Sequence, residues 1–262
     1  MYFENCEVMN FEGAFRGMRN PLNSWSKSDS VFDYCSAGLT GMYVDNVARK
    51  WVAFSTGGDE VSGGEVYTSY FNWLYENGVK FLDKNSRFCQ LTLVGPNDMR
   101  LAQSLIKAGA EHCKFLRQIP VSVDWTSERF LWSEIDTYHF NTKNSCSTMH
   151  KLFDKSREIE LADFADGEKN RVFLAPVIQT LNSLRDSYFA ATNSKEKDSI
   201  LHLAKQILPE SYLQKRTVVT SYAELRNMYH QRKNHRLPEW SNDFCNFVTK
   251  LPYAKELIIY EN

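Results

Sequence analysis

At 262 residues the chain is long enough for one large domain or two small ones, and its 43% apolar, 14% aromatic and 24% charged content is that of a globular protein. With 31 basic and 32 acidic side chains the formal charge is −1, which excludes a global pull towards nucleic acid or an anionic membrane. No apolar run approaches the roughly 20 residues of a membrane span, and the start, Met1-Tyr2-Phe3-Glu4-Asn5-Cys6, lacks the charged and apolar regions of a secretory signal.

The six cysteines (6, 35, 89, 113, 146 and 245) are scattered, and none forms a Cys-x-x-Cys pair. Free thiols in a reducing, cytoplasmic setting are expected.

Residues 1–30 carry two glycines, two arginines and Asn20-Pro21, the content of an ordered, irregular segment. Arg16 and Arg19 are close enough in sequence to reach one phosphate together; two solvated arginines on a turn is the plainer alternative. Residues 31–95 show weak periodicity and read as an insertion. Within them Thr56-Gly57-Gly58-Asp59-Glu60 and Ser62-Gly63-Gly64-Glu65 read as turns, Val66 to Tyr75 as a helix, and Gln90 to Val94 as a strand. Neither glycine pair fits a phosphate-cradling loop.

A helix follows Gly95-Pro96, capped by Asn97 or Asp98, with Leu101, Leu105, Ile106 and Ala108 as its apolar face and Gly109 at its end. Ile119 to Trp125 alternates like a strand, and Ser127 to Asp136 reads as a short helix leading into a polar loop up to His150. Residues 156–173 read as loop or peripheral helix. Two amphipathic helices are expected over Pro176 to Phe189 and Ser194 to Leu208, then an extended segment at Val218-Val219. Ser221 and Glu224 form a capping box for a helix with Leu225, Met228 and Tyr229 inward, and Leu237-Pro238-Glu239 opens a last helix through Phe247.

Two clusters carry chemistry. His139 and His150 flank Cys146, which suits a nucleophile pair or a metal site, but the spacing is no standard zinc pattern and a fourth ligand is missing. A structural or ligand-positioning role is the default for such residues. Glu134 and Asp136 sit two apart, so on a helix they diverge and read as solvated carboxylates rather than an acid–base couple. The second cluster, Tyr229 to Arg236, holds three permanent positive charges and two histidines on or beside the helix that bears Asn227. It suits a phosphate by charge-assisted hydrogen bonds, or simply a basic helix end favoured by the macrodipole.

These segments together resemble the flavin-dependent thymidylate synthase family. That family carries Arg-His-Arg-x-x-Ser-x-Asn-Glu-x-Ser-x-Arg-Tyr, and the same register here runs from Thr137 to His150. The Asn is kept at Asn144 and the second Ser at Ser147, while Thr142 replaces the first Ser. The Arg-His-Arg triplet becomes Thr137-Tyr138-His139, and the late Arg becomes Met149. Upstream, the first His of the family's His-x-Ser-Pro-x-Glu-His matches His112. Downstream, Asn227 and Arg232 match an Asn and an Arg of the family's C-terminal helix. Order and spacing are kept over roughly residues 97–250.

The resemblance implies an α/β (α+β) fold, a mixed sheet packed with long helices, over a single domain 1–262. It implies binding of a dUMP-like pyrimidine deoxynucleotide by Asn144, Ser147, Asn227 and Arg232, and of FAD by His112, Tyr138 and His139. It further implies one-carbon transfer to C5 with methylenetetrahydrofolate and NADPH, and a homotetramer. The lost arginines remove several charge-assisted bonds of about 1.5–3 kcal/mol each. A non-catalytic nucleotide-binding relative, or an enzyme modifying another base, are the alternatives.

Overall fold

The computed structural model describes residues 1–30 and 93–261 in full and the backbone of 39–45, 50–55 and 60–65. The helix expected at Val66 to Tyr75, most of the strand at Gln90 to Val94 and the turn at 56–59 lie outside the described residues. Leu93 and Val94 form bridge pairings and are completely buried.

A four-stranded sheet in the order β1-β5-β7-β6 is built from β1 (Tyr2–Val8), β5 (Pro120–Glu128), β6 (Thr142–Ser145) and β7 (Leu213–Ser221). A separate three-stranded antiparallel sheet, β2 (Leu39–Asp45), β3 (Lys50–Ser55) and β4 (Glu60–Glu65), occupies the span read as an insertion. The turn expected over Ser62-Gly63-Gly64-Glu65 is therefore strand: Ser62 and Glu65 pair with Val52 and Lys50 of β3, and the register shifts at the two glycines between them. β5 follows its sequence period of two, with Val121, Val123, Trp125 and Ser127 buried.

The chain forms two compact units, one of Met1–Cys6 and Val123–Val219, the other of Glu7–Ser122 and Thr220–Asn262. In the first, α3 (Arg129–Ile135) follows β5, and the short α4 (Thr148–Lys151) follows β6. A hairpin of α5 (Arg171–Ala190) and α6 (Ser194–Ile207) encloses a core of Leu174, Leu181, Leu201, Ala204 and Leu208 with Leu152, Phe153 and Phe164. α5 begins five residues ahead of Pro176, because a proline in the second turn sacrifices a single backbone bond. Asp124 on β5 accepts hydrogen bonds from Thr217 Oγ1 at 2.6 Å and Asn5 Nδ2 at 2.9 Å, and pairs with Lys215 at 3.2 Å. These donors stabilise its charged form and lower its pKa from 3.8 to about 2, the Thr217 bond contributing most.

In the second unit, residues 11–19 are not irregular but helical, as α1 (Phe11–Arg19), because Phe11, Ala14, Phe15 and Met18 share one helical face and are buried. α2 (Pro96–Lys107) buries Met99, Ala102 and Ile106; Leu101 and Leu105 are only half-buried and Ala108 is exposed, so the apolar face lies beside the expected one. Gly109, at φ +108°, ends this stretch as expected. α7 (Tyr222–Arg232) carries the expected Ser221 cap, whose Oγ accepts from the Glu224 N–H, and buries Leu225 and Met228. The helix opened by Pro238 starts as a wide π-type turn (Glu239–Phe244), continues as α8 (Cys245–Thr249), and is followed by one more helical stretch (Ala254–Ile258). No helix among the described residues is long and apolar enough to cross a membrane.

Arg19 does not reach for a phosphate. Its Nε and Nη2 both contact Asp98 Oδ1 at 2.5 Å, with Arg19 5% exposed and Asp98 fully buried. Ser28 and Ser30 each donate to Asp98 Oδ2 at 2.5 Å. The start of α2 is capped not by Asn97 or Asp98 but by Asp29, which accepts from both their backbone N–H groups at 2.8 and 3.0 Å. A Cβ on Gly95 would lie 2.3 Å from the Asp29 carboxylate, so the close approach requires glycine. Arg16 is exposed and bonds to Glu12 one turn away at 3.3 Å. The joint phosphate contact that the sequence leaves open to the two arginines is thus excluded by burial of one of them.

Removing Arg19 leaves a carboxylate buried and unpaired, so Arg19→Met should destabilise the protein to urea by about 3–5 kcal/mol. Arg16→Ala should shift stability by no more than about 0.5 kcal/mol; equal effects of the two would contradict the assignment. In an NMR titration Asp124 should protonate near pH 2, and Thr217→Val should raise that value. Because its folded pKa is depressed, its stabilising contribution is complete above pH 3.8 and lost as pH falls towards 2.

Candidate functional site

In the first unit the candidate residues lie on the path from α3 through β6 to α4. Thr137 and Tyr138 close α3 with backbone bonds to Glu134 and Ile135. Tyr138 is buried at 7% exposure, and His139 is exposed. Asn141 donates to the Tyr138 carbonyl at 2.8 Å, and its buried Oδ1 has no hydrogen-bond partner among the described residues.

The polar span is not simply loop, since Thr142–Ser145 forms β6, antiparallel to β7. Asn144 faces Thr217 across the ladder and is exposed. Opposite residues share a sheet face, so Asn144 lies on the side where Thr217 bonds Asp124. The alternate side is occupied by Lys143 and Arg216, which both pair with Asp136 at 3.1 Å; the Arg216 guanidinium lies 4.2 Å above the Trp132 ring. Asp136 is therefore an ion-pair acceptor rather than a free solvated carboxylate.

Ser147 is the N-cap of α4, its Oγ accepting from the Met149 N–H at 3.2 Å. The Lys205 ammonium of α6 lies 3.1 Å from the Met149 sulfur. A thioether is a weak acceptor, so this half-buried cation stands beside the Ser147 segment. Lys205 escaped the sequence reading because 56 residues separate it from Met149 and only the fold brings them together. Cys146 is an exposed free thiol. Among the described residues no group of three or more His, Cys, Asp or Glu side chains gathers as metal ligands.

The other candidates lie in the second unit. His112 is exposed in the turn after α2, its N–H bonded to the Gly109 carbonyl at 3.0 Å. On α7, Asn227 and Gln231 are exposed one turn apart, and Gln231 Nε2 donates to Asn227 Oδ1 at 2.9 Å. The Arg232 guanidinium lies 4.5 Å over the Trp240 ring, a cation–π contact.

The rest of the basic cluster holds the C-terminal segment. Arg226 donates to the carbonyls of Ile258 and Tyr260, His230 Nε2 lies 3.0 Å from the Ile258 carbonyl oxygen, and Lys233 pairs with Glu261. Burial, chiefly, and the neighbouring Arg226 push the His230 pKa down. Part of the charge read as a phosphate grip is thus spent on structure.

No family model matches the sequence, and no curated protein does. Among solved structures, the chain is similar to thymidylate synthase X (ThyX) from Helicobacter pylori, a structure with FAD and dUMP. The TM-score is 0.57 at 14% identity, over 98% of this chain and 97% of that one. A second structure of the Helicobacter pylori flavin-dependent thymidylate synthase ThyX, complexed with FAD and dUMP, gives 0.47 at 18% identity over 73% of this chain and 92% of that one. The expected α/β fold of the ThyX kind is the one observed.

Proposed function

We propose that the chain binds a pyrimidine deoxynucleotide of the dUMP type on a ThyX-like scaffold. The observation that carries this reading is the likeness of fold over nearly the whole of both chains, 98% and 97%. The spacing of Asn144, Ser147, Asn227 and Arg232 supports it independently, since the first pair falls on one β-strand and its following cap and the second on one helix.

Each residue has chemistry for part of such a ligand. Asn144 and Ser147 offer neutral donors and acceptors. Lys205 lies beside Met149, where the family's late arginine would stand, and an ammonium there pairs with a phosphate without the fork geometry of arginine. Asn227 offers an amide to a base edge. Arg232 offers a guanidinium placed over the Trp240 ring.

The resemblance assigns FAD to His112, Tyr138 and His139, and these residues do not fit its diphosphate. Tyr138 is buried, and neither imidazole carries the permanent charge of the guanidinium groups it would replace. A second reading, favoured by the whole-chain likeness to a protein solved with FAD and dUMP, is catalytic. It would require residues other than these three to hold FAD, which would supply hydride, with methylenetetrahydrofolate and NADPH as co-substrates and a homotetramer as the working assembly.

Calorimetry with dUMP is the primary test. The wild type should bind, and Ser147→Ala and Arg232→Ala should each weaken binding by roughly ten- to a hundredfold, the worth of a charge-assisted hydrogen bond. Absence of binding, or unchanged affinity in both variants, rejects the nucleotide reading. The visible spectrum of purified protein, repeated after heat release of any bound chromophore, separates the two readings. A flavin spectrum supports the catalytic one, and colourless protein that still binds dUMP supports the non-catalytic one.

A further inference from the structure

We propose that Lys143 and Arg216 form a binding site for a phosphate group, in which the Asp136 carboxylate is an internal stand-in that an incoming anion displaces. The site lies within the first unit, on the opposite side of the sheet from Asn144, and does not depend on the nucleotide reading.

The β6–β7 ladder makes the two cations diagonal neighbours. Lys143 faces Val218 and Ser145 faces Arg216, so both cations share the sheet face on which Trp132 of α3 lies. The Lys143 side chain is 14% exposed and that of Arg216 15%. Cations withdrawn from water to this extent need anionic partners. Among the described residues the two have a single carboxylate, and they share one oxygen of it: Asp136 Oδ1 is 3.1 Å from Lys143 Nζ and 3.1 Å from Arg216 Nη1. The Nε and Nη2 groups of Arg216 donate to Gln214 Oε1, a neutral acceptor. One positive charge is therefore left over. An ammonium has three donors, and Asp136 engages the Lys143 ammonium through one oxygen only.

Asp136 is the most weakly held member of the cluster. Its side chain is 47% exposed, and it follows the last residue of α3, where the helix dipole disfavours a carboxylate. It can turn out to water, whereas the two cations are covered. A phosphate in its place brings about two negative charges and three acceptor oxygens, which match an ammonium and a guanidinium edge together.

Titration of the whole protein with inorganic phosphate, followed by phosphorus NMR at fixed ionic strength, tests this. The wild type should bind saturably. Lys143→Met should weaken binding by about tenfold or more, and Lys143→Arg, which keeps the charge, should stay within about threefold of the wild type. Asp136→Asn removes the competing charge at nearly constant shape and should tighten binding by about tenfold. If that variant is destabilised by its unpaired cations, phosphate should raise its Tm by more than it raises that of the wild type. No saturable binding to the wild type, or equal affinity in the wild type and Lys143→Met, overturns the site. Equal affinity and an equal Tm response in the wild type and Asp136→Asn overturn the stand-in role.

Inorganic pyrophosphate and dUMP, titrated in the same way, distinguish the sources of the phosphate: the ligand that uses this site is the one whose affinity falls in Lys143→Met. If dUMP does not bind at all while inorganic phosphate does, the nucleotide reading fails and this site stands.

Discussion

A buried carboxylate organises the second unit. Asp98 sits at the start of α2 with no exposed surface, and it is tolerable there only because Arg19, Ser28 and Ser30 bring it four contacts at 2.5 Å. Its neighbour in the network, Asp29, satisfies two backbone N–H groups at the same helix start. The network ties residues just before position 31 to residues just after position 92. Every group in it is polar, and each depends on the others for a partner, so it favours one register between α1 and α2 over others that an apolar contact would allow.

Charge is used in a similar way in the first unit, nearer the surface. Asp124 collects Thr217, Asn5 and Lys215 on one side of the β5–β7 pair, and Asp136 collects Lys143 and Arg216 on the other. Of these contacts the Lys143–Asp136 pair, with the ladder to β7, holds β6, a four-residue strand at the sheet edge with little apolar side chain of its own. The candidate residues Asn144 and Ser147 are therefore presented by a segment that ion pairs and ladder hydrogen bonds position, not by a hydrophobic anchor. In the second unit Asn227 and Arg232 are carried by a helix whose inward side, Leu225 and Met228, is buried.

Local pattern specifies structure where a single periodicity is uninterrupted. The α5 and α6 helices, β5, the Ser221 cap and the positive φ at Gly109 all follow from spacing, capping chemistry or the absence of a Cβ. Local pattern is silent where one side chain's partner lies far along the chain. Arg19 meets Asp98 across 79 residues, and Asp29 caps a helix whose Asn97 N–H lies 68 residues further on, so neither partner is visible in local spacing.

The sequence by itself determined the class of fold and the identity of the polar residues held at family-like spacings, because both are written in short-range order. Only the tertiary structure decided which charges are already committed. Arg19, Asp136, Arg226 and Lys233 are each bonded by a partner between 28 and 80 residues away, while Lys205 is brought to 3.1 Å from the Met149 thioether. The physical reason is that a side chain's availability is set by desolvation and pairing, and both are properties of the folded surroundings rather than of the residue.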